Sequence, residues 1–210
     1  MPSYLHKFAN VFLKEGSDEL PPHHEWDHAI KLVPGARLHD CKVYPLSPGQ
    51  QCELDMFIEE NLTSQQIHLS KSPLTSPFFF IQKKDSSLHP VQDYCYLNSI
   101  MIKNKYPLPL ISDLINKLKN ATIFTKFDIW WGYNNICIQS RDEWKAAFKT
   151  NHGLFKLLVM FFRLTNLPMT FQAMMNKIFT EEIQEGHVII YLDDILIFSN
   201  DLDEHCTLIT

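Results

Sequence analysis

Residues 187–200, HVIIYLDDILIFSN, place two adjacent aspartates, Asp193 and Asp194, between two apolar runs. Each run is short and rich in β-branched or aromatic residues, which predicts a buried strand rather than a helix. The segment is therefore expected to form a β-hairpin with both aspartates at its tip. Two neighbouring carboxylates repel each other, and burying one without a partner is costly. The pair indicates a nearby cation, although an exposed turn would also accept aspartates.

The composition is that of a globular protein. The 210 residues are 45% apolar and 20% charged, which suits one domain, or one domain with an extra lobe. The sequence shows neither a membrane-length apolar run nor a signal-peptide pattern, so it predicts an intracellular protein without a membrane partner. Five scattered cysteines indicate free thiols. The net charge of −5 means that any basic surface must be local.

The N-terminal half is predicted to contain an arm, a helix and a hairpin. Residues 1–46 are rich in Pro and His and are expected to be loosely structured. Ser47 opens a capping box that begins a helix ending near Thr63. Two strand-like segments then flank a polar turn, which predicts a hairpin carrying Lys83 and Lys84 near its tip. The helix is expected to bury an apolar stripe, formed by Leu54, Phe57, Ile58 and Leu62.

The C-terminal half is predicted to contain a short helix, several strands and a long helix before the hairpin. The short helix covers about 110–119 and precedes the strand TIFTKFDI, which contains Asp128. The long helix is expected to run from Asn166 to Gly186. This order predicts an α+β fold, an antiparallel sheet with helices on one face. Such a sheet can bring the end of TIFTKFDI beside the Asp193–Asp194 hairpin.

Asp128 would supply a third carboxylate to the same place. Together with Asp193 and Asp194 it could form an oxygen-rich site, which suits hard cations such as Mg²⁺ or Mn²⁺. Two such ions about 4 Å apart support phosphoryl transfer. The spacing of the three aspartates alone makes a metal site plausible, and the surrounding motifs support it further.

Four ordered blocks of sequence carry a resemblance. They are YPLPLISDLINKLKNATIFTKFDIWWGYNNICI, DEWKAAFKTNHGLFKLLVMFF, LTNLPMTFQAMMNKIF and the YLDD box with its apolar flanks, which contains Tyr191 and Leu192. These blocks closely resemble the reverse transcriptase of gypsy-type LTR retrotransposons. The upstream segments WDHAIKLVPGA, YPLSPGQ and IEENLTSQQIHLSKSP resemble the region between protease and polymerase in the Pol polyproteins of those elements. The resemblance covers nearly the whole chain.

The resemblance implies a right-hand polymerase architecture without a thumb. Residues 1–46 would be the linker arm between protease and polymerase. The fingers would comprise 47–105 together with 140–165, and residues 106–210 would be a partial palm that carries the aspartates.

The resemblance also implies RNA-directed DNA polymerase activity, in which a primer 3′-hydroxyl attacks the α-phosphate of a deoxynucleoside triphosphate (dNTP). By similarity, Asp128 and Asp193 are the main ligands of two Mg²⁺ or Mn²⁺ ions. Asp194 is similar to the third carboxylate, and the Ile129 carbonyl could complete the shell. The implied partners are dNTP, an RNA or DNA template with its primer, and other parts of Pol, in the cytoplasm, a virus-like particle or the nucleus.

Four residues are implied to bind the dNTP. Tyr133 matches the aromatic steric gate that excludes a ribose 2′-hydroxyl. Lys83 and Lys84 resemble the fingertip lysines that meet the triphosphate, and His89 stands where the family has a triphosphate-gripping arginine. Three further residues belong to the family motif in the third block: Pro168, Phe171 and Gln172.

Several positions depart from the family pattern. Neutral imidazole at His89 lacks the permanent charge and the two-pronged donor of a guanidinium. Cys95 and Trp130 also replace arginines, and Arg163 replaces a glycine near the nascent base pair. Because the sequence also stops at Thr210, soon after the hairpin, it is expected to be a truncated, degenerate copy with little activity. The alternative is a non-catalytic remnant that binds nucleic acid or a Pol partner.

A third hypothesis rests on the segment HHEWDH. His24 and His28 are spaced by four residues and could ligate zinc together with Asp27. Pro21 and Pro22 precede this segment, and its similarity to the linker of the Pol polyprotein counts against a dedicated zinc module. Titration of a peptide covering residues 20–32 with zinc would test it.

Overall fold

The chain folds as two compact units, each built around its own sheet. The structure, a computed structural model, describes residues 3–12 and 20–209. The first unit contains a 3-10 stretch, Ser3–Phe12, together with Asn104–Gly132 and Pro168–Thr210. The second unit contains Asp18–Lys103 and Tyr133–Leu167. The predicted α+β fold class is confirmed, with two sheets in place of one.

The helices and strands are numbered here in chain order. The helices are α1 (Pro48–Thr63), α2 (Cys95–Ile100), α3 (Ile111–Lys117), α4 (Leu167–Ile178), α5 (Thr180–Glu185) and α6 (Leu202–Ile209). The strands are β1 (Ile67–Leu69), β2 (Ser76–Gln82), β3 (Leu88–Gln92), β4 (Ile123–Asp128), β5 (Ala147–Thr150), β6 (Gly153–Leu157), β7 (Val188–Tyr191) and β8 (Asp194–Ser199). No helix in the described ranges is both long enough and apolar enough to pass through a membrane.

Helix α1 begins where the sequence predicts. The Ser47 hydroxyl accepts a hydrogen bond from the Gln50 amide, and the Gln50 side chain accepts one from the Ser47 amide. This reciprocal pair satisfies two amides that the first helical turn leaves without partners. The predicted buried stripe is only partly correct, since Leu54 and Phe57 are buried but Leu62 is exposed.

The second unit is organised around a five-stranded sheet with the order β1-β6-β5-β2-β3. All pairs are antiparallel except β2 with β5. Its core holds an aromatic cluster, in which the Phe78 ring lies 5.4 Å from that of Phe57 and 5.7 Å from that of Phe148. At the other end of β2, the Lys83 amide donates to the Ser87 carbonyl at 2.8 Å and closes the predicted β2–β3 hairpin.

The N-terminal arm is described over the 3-10 stretch Ser3–Phe12 and over residues 20–46, and the latter contain no helix and only isolated bridges. Residues 20–46 nevertheless pack and hydrogen-bond within the second unit. Ile30 is fully buried; its amide donates to Asp142 at 2.7 Å and its carbonyl accepts from Lys145 at 2.6 Å. The role of residues 1–46 as a protease-to-polymerase linker stays a prediction.

The first unit is organised around a three-stranded antiparallel sheet with the order β4-β8-β7. The register of β4 and β8 runs from Ile123 opposite Ser199 to Asp128 opposite Asp194. Side chains alternate along β4 because a strand points successive residues to opposite faces. Phe124, Lys126 and Asp128 are exposed on one face, while Thr125 on the other face is half-buried.

The prediction of one long helix from Asn166 to Gly186 is wrong. The segment forms two helices, α4 and α5, separated at Phe179, whose ψ of 31° is not helical. The Thr180 hydroxyl donates to the Asn176 and Lys177 carbonyls at 2.8 and 2.9 Å. Such side-chain bonds compete with backbone bonds and bend helices. The predicted end is confirmed, since Gly186 adopts a left-handed φ of 88°.

A buried histidine fastens α6 to the sheet of the first unit. The Ser199 hydroxyl donates its proton to the Asp201 carbonyl at 3.0 Å. Its oxygen is therefore free to accept from Nδ1 of His205, which lies 3.0 Å away. Nε2 of His205 then accepts from the Thr125 hydroxyl at 2.8 Å. A single imidazole ring thus joins α6 to both β4 and β8.

We predict that His205→Ala destabilises the first unit by about 1–3 kcal/mol, because it leaves buried hydroxyl groups without their partner. The measurement is the free energy of unfolding in urea. The exposed neighbour provides the control, and Glu204→Gln should change stability by less than about 0.5 kcal/mol. Equal effects from the two substitutions would contradict the role given to His205.

Candidate active site

The pairing of β4 with β8 brings the three aspartates of the sequence analysis to one end of the sheet. Asp128 is the last residue of β4 and lies directly opposite Asp194, the first residue of β8. The next amide, that of Ile129, donates to the Asp193 carbonyl at 3.0 Å. The predicted closeness of Asp128 to the Asp-Asp hairpin is therefore confirmed. The Ile129 carbonyl itself accepts a hydrogen bond from the Gly132 amide at 3.3 Å.

The hairpin turn between β7 and β8 is tight and strained. Leu192 has a φ of 56°, a left-handed value that costs a residue with a side chain about 1–2 kcal/mol. The fully buried Gln172 of α4 holds this conformation, because its side-chain carbonyl accepts from the Leu192 amide at 2.8 Å. Its side-chain amide donates to the Ile190 carbonyl at 3.3 Å. Gln172 thus fixes the backbone that presents Asp193 and Asp194.

Helix α4 also supports the chain just after Asp128. The buried Phe171 ring lies against Gly132, so closely that a Cβ atom at Gly132 would come within 2.8 Å of the ring. That separation is well below ordinary carbon–carbon contact. Gly132 is therefore required for α4 to approach the turn that follows β4. Of the third predicted motif residue, Pro168, the structure shows only its half-buried place in the first turn of α4.

A lysine that the sequence analysis did not select lies among the aspartates. Lys126 precedes Asp128 by two residues on the same face of β4, and its ammonium group lies 2.9 Å from an Asp194 carboxylate oxygen. The hydrogen bond to Asp194 and the charges of Asp194, Asp128 and Asp193 raise the pKa of Lys126 above its usual value. The period of two along a strand could have identified Lys126 from sequence.

The donor set at this end of the sheet fits a divalent cation. Three carboxylates and backbone carbonyls are the ligands that Mg²⁺ and Mn²⁺ prefer. Lys126 shows that the cluster already attracts a positive charge. Asp128 is exposed and Asp193 and Asp194 are half-buried, so an ion from solution could reach them.

A second group of predicted residues lies in the second unit. The Phe162 ring lies 5.5 Å from the Tyr133 ring and 6.5 Å from the His89 ring, both at steep angles. Phe162 was not selected from the sequence and is 45% exposed. It links two of the predicted dNTP-binding residues into one aromatic surface. Nothing local in the sequence marks this role, since it depends on the approach of distant segments.

Positive charge surrounds this aromatic surface. Burial, followed by the charges of Lys83 and Arg163, lowers the pKa of His89, so its imidazole is neutral at pH 7. Lys84 is exposed in the turn of the β2–β3 hairpin. The Arg163 guanidinium lies 5.8 Å from the centre of the Phe79 ring. Lys83 and Arg163 therefore contribute positive charge beside His89, whereas Lys84 is not among the charges that lower its pKa.

Arg163, which stands where the resemblance implies a glycine, adopts a backbone conformation that favours glycine. Its φ is 81°, which lies in the left-handed region. The Asn98 side chain holds this loop by donating to the Arg163 carbonyl at 2.7 Å and accepting from the Thr165 amide at 2.9 Å. A side chain at such a position costs about 1–2 kcal/mol.

The zinc site hypothesised from His24, Asp27 and His28 is wrong. The His24 ring stacks on Trp26 at 4.5 Å, and the His28 backbone pairs with Ile138. Among the described residues, Asp27 instead lies close to the side chains of His23 and Cys137. A turn at Glu25 and Trp26 separates His24 from His28, and the two side chains do not converge with that of Asp27 on one set of ligand atoms.

Known proteins resemble the chain in sequence and in structure. A family model described as reverse transcriptase (RNA-dependent DNA polymerase) matches residues 81–210. The Transposon Tf2-3 and Tf2-7 polyproteins of Schizosaccharomyces pombe are 35% and 34% identical over 206 residues, or 98% of the chain. The native crystal structure of prototype foamy virus protease-reverse transcriptase superposes with a TM-score of 0.73 at 21% identity, covering 97% of the chain.

A foamy viral protease-reverse transcriptase solved with an RNA/DNA hybrid also superposes, with a TM-score of 0.73 at 16% identity over 100% of the chain. The two superpositions show that the chain shares the fold of these proteins, and at such low sequence identity they show the fold alone. The chain spans 15% of the length of the Tf2 polyproteins and under a third of the foamy virus chains. Since the family model matches more than half of its residues, the chain belongs to the reverse transcriptase (RNA-dependent DNA polymerase) family.

Proposed function

We propose that the chain is the RNA-directed DNA polymerase region of an LTR retrotransposon Pol polyprotein, a nucleotidyltransferase that extends a primer 3′-hydroxyl with dNTP. The observation that carries this proposal is the strand register that sets Asp128 opposite Asp194, with Asp193 bonded through its carbonyl to Ile129. Together with membership of the family, this arrangement supports a two-metal site rather than a surface turn.

The proposed ligands of Mg²⁺ or Mn²⁺ are Asp128 and Asp193, with Asp194 as the third carboxylate and Ile129 as a carbonyl donor. When bound, two such ions would activate the primer hydroxyl and stabilise the leaving pyrophosphate oxygen. The protein's own contribution is to hold the carboxylates in place before the ions arrive. Gln172 does so through the Leu192 turn, and the β4–β8 register does so for Asp128.

Lys126 acts as an internal counterion of the carboxylates. Its ammonium group offsets the repulsion among the three aspartates, which would otherwise disfavour the folded hairpin. The same contact places Lys126 in competition with an incoming cation for Asp194. Lys126 is therefore proposed to stabilise the metal-free site and to lower its affinity for divalent ions.

Residues of the second unit are proposed to bind the nucleotide. Lys83 and Lys84 would meet the triphosphate, and Tyr133 would exclude a ribose 2′-hydroxyl. Phe162 supports this role of Tyr133, because its ring packs edge-on at 5.5 Å and restricts the movement of the tyrosine ring. The neutral His89 would be a weaker triphosphate ligand than a guanidinium, at a cost of about 1.5–3 kcal/mol.

The setting of the reaction is also proposed by similarity. Template and primer would be RNA or DNA, as the foamy virus structures with an RNA/DNA hybrid and with double-stranded DNA suggest for their own chains. An intracellular location and partners elsewhere in Pol are proposed from the retrotransposon relatives. Residues 47–105 with 140–165 would serve as fingers and 106–210 as part of the palm.

We predict that Mn²⁺ binds the aspartate cluster and that Lys126→Ala tightens this binding severalfold, because a competing positive charge is removed. The measurement is a titration with Mn²⁺ followed by electron paramagnetic resonance. Asp193→Asn serves as the control and should abolish the tight binding. Weaker binding in Lys126→Ala, or unchanged binding in Asp193→Asn, would contradict the proposed site.

We predict that RNA-templated primer extension depends on Asp193 and is limited by His89 and Arg163. The assay compares the 210-residue chain with the same chain followed by the residues that come next in a Tf2 polyprotein. His89→Arg should lower the KM for dNTP about 10- to 100-fold, since it restores a charge-assisted contact.

Arg163→Gly should raise the free energy of unfolding by about 1–2 kcal/mol, because glycine adopts the left-handed conformation of this loop without strain.

Asp193→Asn in the longer chain is the matched negative control. Synthesis that survives this substitution would show that another site performs the reaction. A KM for dNTP that His89→Arg leaves unchanged would refute the role proposed for position 89.

A further inference from the structure

The second unit contains a cluster of metal-ligating side chains that takes no part in the proposed reaction. A ring nitrogen of His23, a carboxylate oxygen of Asp27 and Sγ of Cys137 all lie within 4.8 Å of one another. His23 and Asp27 are joined by a hydrogen bond between Nδ1 and Oδ2. Cys137 is 114 residues further along the chain than His23, so the fold, rather than local sequence, assembles the group.

We propose that His23, Asp27 and Cys137 form a binding site for Zn²⁺. Nitrogen, oxygen and sulfur ligands together suit zinc, whose bonds to them are about 2.0–2.3 Å long. Tetrahedral bonds of that length separate the ligand atoms by about 3.4–3.6 Å. The hydrogen-bonded atoms of His23 and Asp27 would therefore move apart to admit the ion, and ligand atoms at the far limit of 4.8 Å would approach each other by about 1 Å. Three protein ligands leave a fourth position for water.

The Asp27 carboxylate is held ready for this role. Its Oδ1 atom accepts from the His24 amide at 3.1 Å, within the turn that the Asp27 amide and the His24 carbonyl close. Only 7% of the Asp27 side chain is exposed. The Oδ2 atom faces His23, whose side chain is 55% exposed and can rotate to admit an ion. The site therefore combines a buried carboxylate with an exposed imidazole at its entrance.

Cys137 provides the buried side of the site. Its thiol donates to the Pro21 carbonyl at 3.2 Å. Burial, and then the negative charges of Asp27 and Glu143, raise the pKa of Cys137 to about 11. A dication at this place would reverse that electrostatic setting, since zinc binds the thiolate and neutralises the carboxylate. On binding, the hydrogen bond between His23 and Asp27 is replaced by bonds from both side chains to zinc, and the imidazole keeps its proton on the ring nitrogen that does not bind the ion. The sulfur–hydrogen bond of Cys137 breaks, the sulfur–zinc bond forms and the thiol proton leaves to solvent.

The ion would connect two segments that backbone bonds already bring together. The His28 amide donates to the Cys137 carbonyl at 2.8 Å, and the Gln139 amide donates to the His28 carbonyl at 2.9 Å. A zinc bridge from His23 and Asp27 to Cys137 would extend this attachment to residues 20–27. The expected role is structural, as an anchor for the N-terminal arm.

The test uses the complete 210-residue chain with Asp193→Asn, so that the aspartate cluster of the first unit does not take up the metal. Zn²⁺ is titrated calorimetrically, and Co²⁺ is titrated as a spectroscopic substitute whose bond to a thiolate gives a charge-transfer absorption. We expect one equivalent of each ion and a thiolate band. His23→Gln alters an exposed side chain and should lower the affinity for Zn²⁺ more than about 100-fold. Even the loss of a residue that only hydrogen-bonds to a metal ligand lowers metal affinity 10- to 100-fold.

Matched controls lie close by in sequence and in chemistry. His24→Gln changes the neighbouring histidine, which stacks on Trp26, and Cys95→Ser removes an exposed cysteine of the same unit. Both variants should bind Zn²⁺ as the parent does, whereas Cys137→Ser should lose the Co²⁺ thiolate band. Absence of stoichiometric Zn²⁺ binding, or binding that His23→Gln leaves unchanged, would overturn the proposal. Loss of binding in His24→Gln to the same extent as in His23→Gln would do so as well.

Discussion

Repulsion among three carboxylates is the constraint on which the first unit depends. The β4–β8 register fixes Asp128 opposite Asp194, and the adjacent Asp193 is bonded through its carbonyl to Ile129. Like charges held close together repel each other, and a positive charge beside them offsets that repulsion. Lys126 does so within the protein, and its pKa, raised by all three aspartates, records the interaction. A divalent ion would do so more strongly, which makes the site responsive to metal.

One residue near each of the two proposed sites, Leu192 and Arg163, has a left-handed backbone conformation. At Leu192 the strain lies in the turn that presents Asp193 and Asp194, the proposed metal ligands, and the buried Gln172 side chain compensates for it with a hydrogen bond. Strain maintained in this way is common where a function needs a particular geometry. At Arg163 the same conformation carries a long cationic side chain, which packs over Phe79 and adds positive charge beside His89.

Local signals explain what could be predicted from sequence. The Ser47 capping box and the apolar flanks of Asp193 and Asp194 act over a few residues, and the structure confirms both elements. The break at Phe179 was missed because it arises from the competition of one hydroxyl, that of Thr180, for helix carbonyls. The approach of Cys137 to His23 depends on tertiary packing and has no local signal at all. The site residues of the second unit remain proposals, since their roles need a bound nucleotide.

The most direct test of the central claim is the location of Mn²⁺ by its anomalous X-ray scattering in crystals of this chain. We predict anomalous peaks about 2 Å from carboxylate oxygens of Asp128 and Asp193, with the ammonium group of Lys126 displaced from Asp194. Manganese found only elsewhere, with Lys126 still paired to Asp194, would contradict the assignment of the three aspartates as a metal site.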